Sequence, residues 1–200
     1  MSKSVAIWCF DGVDDLDLAS ALSPLYKATR LASARASIEL RLLAASTSVV
    51  TGAGLRLDTE DELSKLANAH AVVIPGGRAV TSQKHAVALH AALRDAVRAG
   101  ARVYTVCSGA FVLAWAGLLD GRRVAVHSAK AAELCSAAAC IPCRGLTRDG
   151  WLTSTGGIKA STVKGIQIGL ALLHDVDPEL CAAVADRMEL ELSSQLRGNN

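Results

Sequence analysis

The sequence predicts an α/β protein that is built on a mostly parallel sheet. Apolar runs of strand length alternate along the chain with longer segments that have the periodicity of amphipathic helices. The strand-like runs, of which HAVVIPGG (70–77) and ARVYTVC (101–107) are examples, are almost entirely apolar. Such strands are typical of a parallel sheet that is covered by helices on both faces. Ligands of these sheets bind outside the carboxyl ends of the strands, where we expect the functional residues.

The elements of the first half follow from periodicity and from turn residues. Two strands, a helix between them and a hairpin with a glycine-centred turn are predicted first: SVAIWCF (4–10), LDLASALSPLYKATRLA (16–32), IELRLLA (38–44) and SVVTGAGLRLDT (48–59). A short helix, a buried strand with a glycine loop, and a long helix that Gly100 stops come next: DELSKLA (61–67), HAVVIPGG and SQKHAVALHAALRDAVRAG (82–100).

The second half continues the alternation. Two strands, each followed by a helix, are predicted at ARVYTVC, SGAFVLAWAGLL (108–119), RRVAVH (122–127) and SAKAAELCSAA (128–138). A pair of short strands turns about Asp149–Gly150, and two helices over 159–175 and 177–194 close the chain. We expect one domain over residues 1–190, followed by a polar tail over residues 191–200.

The composition of the chain argues against several classes of protein. The chain has 200 residues, of which 51% are hydrophobic and 20% are charged, enough for one full core. A net charge of +2, spread over scattered lysines and arginines, does not indicate binding to nucleic acid or to an anionic membrane. We therefore expect a small-molecule substrate as the partner. Neither a signal peptide nor a membrane-spanning run is recognised, which predicts a cytoplasmic protein with reduced thiols.

The chain has six cysteines, which could bind a metal or form disulfides: Cys9, Cys107, Cys135, Cys140, Cys143 and Cys181. Cys140 and Cys143 form a CxxC motif, which is half of a zinc site or a redox pair. A closed zinc site needs four ligands, and neither a second CxxC nor an HxxxH motif accompanies it. We therefore predict no metal, with these thiols packed around one proline-containing strand.

Cys107 stands where the buried strand RVYTV gives way to the helix SGAFVLA. The small residues Ser108 and Gly109 permit a sharp turn that resembles a nucleophile elbow, although the motif G-x-S-x-G is absent. A thiol above a helix N-terminus is favoured as thiolate by the helix dipole and the free N–H groups. An ordinary buried thiol is the alternative. The elbow context favours a nucleophile.

Two adjacent glycines, Gly76 and Gly77, follow the buried strand that ends at Ile74. Their backbone N–H groups are candidates for binding a developing anion, with the Ser108 amide as a further donor. A Gly-Gly pair alone is a weak signal, because turns use glycine for ordinary steric reasons.

Four acids crowd the first strand–helix connection: Asp11, Asp14, Asp15 and Asp17. Most such acids cap a helix or lie in its first turn. Asp17 differs because Leu16 and Leu18 flank it, and a carboxyl group in apolar surroundings has a raised pKa. Asp17 is therefore the candidate proton donor.

Several of these segments together resemble the DJ/PfpI superfamily, which is class I glutamine-amidotransferase-like, and in particular its isocyanide (isonitrile) hydratase branch. The resemblance is carried by DLDL, IPGG, VCSGAFVLAWAGLLDGRR, His127 and TSTGGI, in the family's order. It implies a flavodoxin-like three-layer sandwich, usually a homodimer. It also implies the catalytic residues Cys107, Asp17 and Ser108. The residues expected to bind substrate are Gly76, Gly77, His127, Gly157 and Ile158, with Lys159, directly after this glycine loop, as a further candidate.

The sequence departs from the hydratase-like pattern at three positions. Ser128 follows the histidine where that pattern usually has tryptophan, and Val163 stands near a position that is usually aspartate. Lys159 replaces what is commonly a small or hydroxyl residue; a solvated lysine is its ordinary interpretation. These changes predict a larger and differently charged pocket.

The resemblance implies a hydratase that needs no cofactor and converts an isocyanide to an N-formamide through a thioimidate on Cys107. One alternative is a biosynthetic enzyme that uses Cys107 and Asp17 on a larger or anionic intermediate. Another is a non-catalytic ligand or redox sensor, because the superfamily also supplies sensor domains to AraC-type regulators. About 25 residues follow the helix LALLHD, which argues against a helix-turn-helix segment.

Overall fold

A central six-stranded sheet organises the part of the chain that the structure, a computed structural model, describes: residues 2–31, 37–157, 159 and 163–192. The strands are β1 (Ser2–Trp8), β2 (Ser37–Leu43), β3 (Ser48–Val50), β4 (Arg56–Asp58), β5 (Ala71–Ile74), β6 (Arg102–Val106), β7 (Arg123–Ala125), β8 (Ile141–Cys143), β9 (Gly145–Asp149) and β10 (Leu152–Gly156). The central sheet has the order β2-β1-β5-β6-β10-β9, and its pairs are parallel except for the hairpin of β9 and β10. The predicted three-layer α/β class is confirmed.

Helices cover the sheet on both sides. They are α1 (Asp15–Leu31), α2 (Leu63–Ala67), α3 (Val87–Arg98), α4 (Ala110–Trp115), α5 (Ala131–Ala137), α6 (Lys164–Val176) and α7 (Pro178–Arg187). One layer consists of α1, α6 and α7, which pack against one another. In the other layer, α3 contacts both α2 and α4, and α4 contacts α5. Within the described residues, no helix is long and apolar enough to cross a membrane.

The apolar strands are buried because both faces of the sheet are covered. All four residues of β5 are buried, and so are the last four residues of β1 and of β6. The same pattern in the sequence predicted a parallel sheet, since a strand with one solvated face would alternate. The resulting core continues into the buried sides of α1, α3 and α6.

The strand ends that carry the loops of interest lie side by side. In the register of the sheet, Ile74 of β5 pairs with Thr105 of β6, and Val106 pairs with Thr155 of β10. The residues that follow β5, β6 and β10 therefore emerge at one edge, as the parallel arrangement predicted.

Several predicted helices are shorter than the sequence indicated; the last two, for example, begin at Lys164 and end at Arg187 respectively. The segment 82–100 begins inside a 3₁₀ helix, Arg78–His85, and continues with α3, because Ala86 between them has φ −77° and ψ 70°. The segment 108–119 begins with a 3₁₀ turn, Cys107–Gly109, and its α-helical part is only α4. Gly117, with φ +70°, stands shortly after the end of α4 and takes the left-handed conformation that commonly follows a helix.

The predicted strand over 122–127 does form, but outside the central sheet. The part of it that forms a strand, β7, pairs in parallel with β8. The sequence of β8, Ile-Pro-Cys, is the proline-containing strand. Proline removes a backbone donor, so such a strand fits a two-stranded edge better than the interior of a large sheet. The β3–β4 hairpin is antiparallel, as its glycine-centred turn predicted.

Candidate active site

Cys107 occupies a sharp turn between β6 and α4. Its φ is +56°, a left-handed conformation that costs a non-glycine residue about 1–2 kcal/mol. Such strain is typical of functional sites. A Cβ at Gly109 would lie 2.2 Å from the carbonyl oxygen of Ile74, so only glycine lets the turn pack against the end of β5. The predicted elbow is therefore present at Cys107.

Asp17, in the first turn of α1, places its carboxyl group at this elbow. The Gly76 amide and the Cys107 thiol approach the carboxyl group closely enough to lower its pKa, against the larger effect of burial. The approach is close: a Cβ at Gly76 would lie 2.6 Å from Asp17 Oδ2 and 2.9 Å from the Ser108 nitrogen. The glycine at position 76 is thus what allows the acid, the elbow and the end of β5 to meet.

Ser108 connects the elbow to the glycine loop. Its hydroxyl oxygen accepts a hydrogen bond from the Gly77 amide at 3.0 Å and also lies 3.2 Å from the Gly77 carbonyl oxygen, to which it donates. The Ser108 amide lowers the pKa of the Cys107 thiol. Of the three amides predicted to bind an anion, those of Gly76, Gly77 and Ser108, the Gly77 amide is therefore already engaged within the protein.

The pKa values of the two reacting groups are both raised. Burial, and then the charge of Asp14, raise the pKa of Asp17 to about 6. Burial, and then the charge of Asp17, raise the pKa of Cys107 to about 11. At neutral pH the pair is thus mostly a carboxylate beside a neutral thiol. The predicted thiolate is wrong for this state, because desolvation and the neighbouring acids outweigh the amide donor of the elbow.

The raised pKa of Asp17 was predicted, but for a reason that the structure corrects. Leu16 is 61% exposed and lies on a different side of α1, since consecutive helical residues do not share a face. The carboxyl group is desolvated by the elbow and the glycine loop that pack over it, rather than by the two leucines next to it in sequence.

Lys164, the first residue of α6, is a site residue that the sequence analysis missed. Its positive charge lowers the pKa of both Asp17 and Cys107, opposing the effect of burial. The start of α6 lies close to α1, because a Cβ at Gly165 would lie 2.8 Å from the carbonyl oxygen of Asp17 and 2.0 Å from the Ser20 hydroxyl. A lysine followed by this close-packing glycine was the only signal in the sequence.

The other acids of the first connection are structural. Asp14 caps α1, accepting a hydrogen bond from the Asp17 amide at 2.9 Å. Asp11 accepts from the amide of Val50, and Asp15 accepts from the amide of Ala53. These bonds fasten the β3–β4 hairpin to the segment that carries the catalytic candidate. The expectation that most of the four acids are caps or first-turn residues is correct.

His127 and Gly157 lie at the neighbouring strand ends. A Cβ at Gly157 would lie 3.2 Å from the carbonyl oxygen of Val126, which directly precedes His127. The His127 ring nitrogen Nδ1 accepts a hydrogen bond from the Ala129 amide, so it caps the short 3₁₀ turn that follows. The side chain is exposed to solvent.

Comparison with known proteins agrees with this architecture. The sequence model of the DJ-1/PfpI family matches residues 3–163. The chain belongs to the DJ-1/PfpI family. Its fold is similar to that of Drosophila melanogaster DJ-1beta, with a TM-score of 0.82, 18% identity, and coverage of 96% of this chain and 100% of that one.

Two curated relatives are more similar in sequence. An uncharacterized protein in the cpoL 5' region of Streptomyces lividans is 35% identical over 124 residues, which cover 62% of this chain and 86% of the relative. The HTH-type transcriptional regulator GlxA of Rhizobium meliloti (strain 1021) is 35% identical over 112 residues, 56% of this chain. That match covers only 35% of the regulator, so the similarity concerns about a third of its length.

The positions at which the chain departs from the hydratase-like pattern lie away from the hydrogen-bonded centre. Ser128 and Lys159 are exposed, and Val163 is 37% exposed. Ile158 lies outside the described residues. A cation whose charge acts on the elbow of this DJ-1/PfpI protein is Lys164. Substrate binding by Lys159 stays a prediction.

Proposed function

We propose that this chain is a cysteine-dependent enzyme that hydrates an isocyanide, or a related electrophilic carbon compound, to an N-formamide-type product. The observation that carries the proposal is the buried carboxyl group of Asp17 beside the Cys107 thiol, which is held in a strained elbow. A nucleophile beside an acid with a pKa of about 6 is suited to a reaction that both adds sulfur and delivers a proton.

In the proposed reaction, the proton of the Cys107 thiol moves first to Asp17 and then to the substrate. As the Cys107 sulfur bonds to the terminal carbon of the isocyanide, its proton passes to the Asp17 carboxylate. Asp17 then protonates the same carbon, whose lone pair has become available, and a thioimidate results. Water adds to that carbon, the carbon–sulfur bond breaks, and the N-formamide leaves with the thiol restored. Every bond and proton in this scheme comes from the substrate, water, Cys107 and Asp17.

The test is turnover of an aryl isocyanide, with the formyl proton of the product followed by NMR. We expect Cys107→Ser to abolish turnover and Asp17→Asn to lower it by about 10²–10⁴, the usual range for general acid–base catalysis. Cys181→Ser is the matched control, because its buried sulfur donates to the Leu170 carbonyl at 3.3 Å and a hydroxyl can replace it. Full turnover by Cys107→Ser would contradict the proposal.

A second form of the proposal keeps the chemistry but changes the substrate. Cys107 and Asp17 would then act on a larger or anionic biosynthetic intermediate. The exposed side chains of Ser128 and Lys159 are accessible to such a substrate. Intact mass spectrometry after incubation with candidate metabolites detects a covalent adduct on Cys107. An adduct without turnover of simple isocyanides would support this form over the plain hydratase.

Ligand sensing is a separate candidate, favoured by the 35% identity to part of an HTH-type regulator. In a sensor, the neutral thiol of Cys107 would contact a ligand without reacting. Calorimetric binding that survives in Cys107→Ala, together with no turnover by the unmodified protein, would favour the sensor. Turnover by the unmodified protein would exclude a purely non-catalytic role.

The homodimer also stays a prediction. Large apolar side chains are exposed near the start of α1 and on the β3–β4 hairpin: Leu16, Val50 and Leu55. We propose that two copies meet over this surface, since the hairpin is held rigidly to the first helix by Asp11 and Asp15. Light scattering of the unmodified protein and of Leu55→Ser measures the association state.

A further inference from the structure

Two cysteines outside the elbow lie in direct contact. The Sγ atoms of Cys135, in α5, and Cys140, which directly precedes β8, are 3.9 Å apart. The Cys135 thiol also approaches the Cys140 carbonyl oxygen at 3.8 Å. Both residues are half-buried, so small reagents reach them. The proposed hydration reaction uses neither thiol.

This pairing differs from the one that the CxxC motif suggests. Cys143 ends β8, whose residues pair one by one with β7, so the chain from Cys140 to Cys143 is extended. Three extended residues span about 10 Å, and a disulfide requires Cα atoms within about 7 Å. Cys140 and Cys143 therefore cannot bond without breaking β8. Among the described residues, moreover, no three potential metal ligands come together.

Backbone hydrogen bonds fix the segment that joins Cys135 to Cys140, and so fix the distance between the two sulfurs. The end of α5 is closed by a hydrogen bond from the Ala138 amide to the Leu134 carbonyl at 3.0 Å. The next residue, Ala139, is fixed by a hydrogen bond from its amide to Asp120 Oδ1 at 3.2 Å. The carbonyl of Ala139 accepts from the Gly121 amide at 2.7 Å. The approach of the two sulfurs thus follows from the path of the main chain.

We propose that Cys135 and Cys140 form a reversible disulfide when the protein meets a peroxide. One thiol attacks the peroxide, takes up one oxygen as a sulfenic acid and releases water when the peroxide is hydrogen peroxide. The second thiol attacks that sulfur, the sulfur–oxygen bond breaks, and a second water leaves. The sulfurs approach by about 2 Å to reach the bond length of a disulfide. A dithiol reductant reverses the reaction.

The experiment maps the bond on one peptide. Trypsin cleaves after Lys130 and Arg144, so the peptide 131–144 contains Cys135, Cys140 and Cys143. The protein is treated with hydrogen peroxide, free thiols are blocked with iodoacetamide, and disulfides are reduced and labelled with N-ethylmaleimide. Tandem mass spectrometry then locates the labels. We expect N-ethylmaleimide in equal amounts on Cys135 and Cys140, and iodoacetamide on Cys143.

Three variants make the result decisive. Cys143→Ser is the matched control and keeps the disulfide, whereas Cys140→Ser loses the N-ethylmaleimide label from Cys135. Cys135→Ser gives the reciprocal loss if the first variant folds poorly. Label on Cys143 in the unmodified protein, or none on the pair after peroxide, would overturn the proposal. Cys107 lies on a different tryptic peptide, so its own oxidation is read separately.

Discussion

The raised pKa of Asp17 predicts that the candidate active site lowers the stability of the fold at neutral pH. A carboxyl group whose pKa is higher in the folded state than in the unfolded chain binds its proton more tightly when folded. Its protonation therefore contributes stability that is complete below the unfolded value of 3.8 and is lost as pH rises through about 6. Above that pH, the fold holds a partly desolvated charge.

The size of the effect follows from the two pKa values. A rise from 3.8 to about 6 corresponds to at most about 3 kcal/mol. Asp17→Asn removes the charge and keeps an oxygen that accepts from the Gly76 amide. We therefore expect the free energy of unfolding of Asp17→Asn, relative to the unmodified protein, to increase by up to about 3 kcal/mol between about pH 4 and about pH 8.

Urea unfolding followed by circular dichroism, repeated across this pH range, measures the difference. Asp14→Asn is an informative second variant, because asparagine also caps helices and the change removes the charge that is the second cause of the raised pKa. We expect a weaker pH dependence of its stability. Asp95→Asn, on an exposed part of α3 and away from the elbow, is the control for the substitution itself. If the difference in unfolding free energy between Asp17→Asn and the unmodified protein did not change with pH, the reasoning would be refuted.

Two further predictions concern the neighbours of the acid. Gly76→Ala places a methyl group 2.6 Å from Asp17 Oδ2, so we expect a loss of about 1–3 kcal/mol in unfolding free energy and of turnover. Gly52→Ala, whose nearest contact is an ordinary 3.4 Å, should change little in the same unfolding and turnover assays. Lys164→Gln should raise the pKa of the elbow thiol and slow its alkylation by iodoacetamide at fixed pH, whereas Lys159→Gln should not; equal rates in both would contradict the assigned role.

The fold was predictable because its signals are local. The buried strands β5 and β6 are apolar throughout, and that pattern distinguishes a covered parallel strand from one with a solvated face. The elbow was predictable for a similar reason, since Ser108 and Gly109 directly follow Cys107. The position of Cys107 at a strand–helix turn needed no knowledge of distant residues.

The electrostatics of the site was not predictable in this way. The thiol was expected to be ionised because a helix follows it in sequence, yet the carboxylate that raises its pKa lies 90 residues earlier in the chain. The charge of Lys164 reaches the elbow through the packing of α6 on α1, which periodicity does not reveal. The Cys135–Cys140 contact likewise depends on how the chain reverses after α5, whereas a motif search finds the CxxC spacing instead.

The charges around Cys107 also bear on what the site accepts. Asp14 and Asp17 both raise the pKa of the thiol, and Lys164 lowers it, so the acids outnumber the cation among the charges that act on the sulfur. A negative group placed at the sulfur would meet the same two carboxylates and be disfavoured. In the proposed reaction, a neutral electrophilic carbon avoids this repulsion and takes its proton from Asp17. An anionic intermediate fits only if its charge lies on the side of Lys164, with the reacting carbon alone at the elbow.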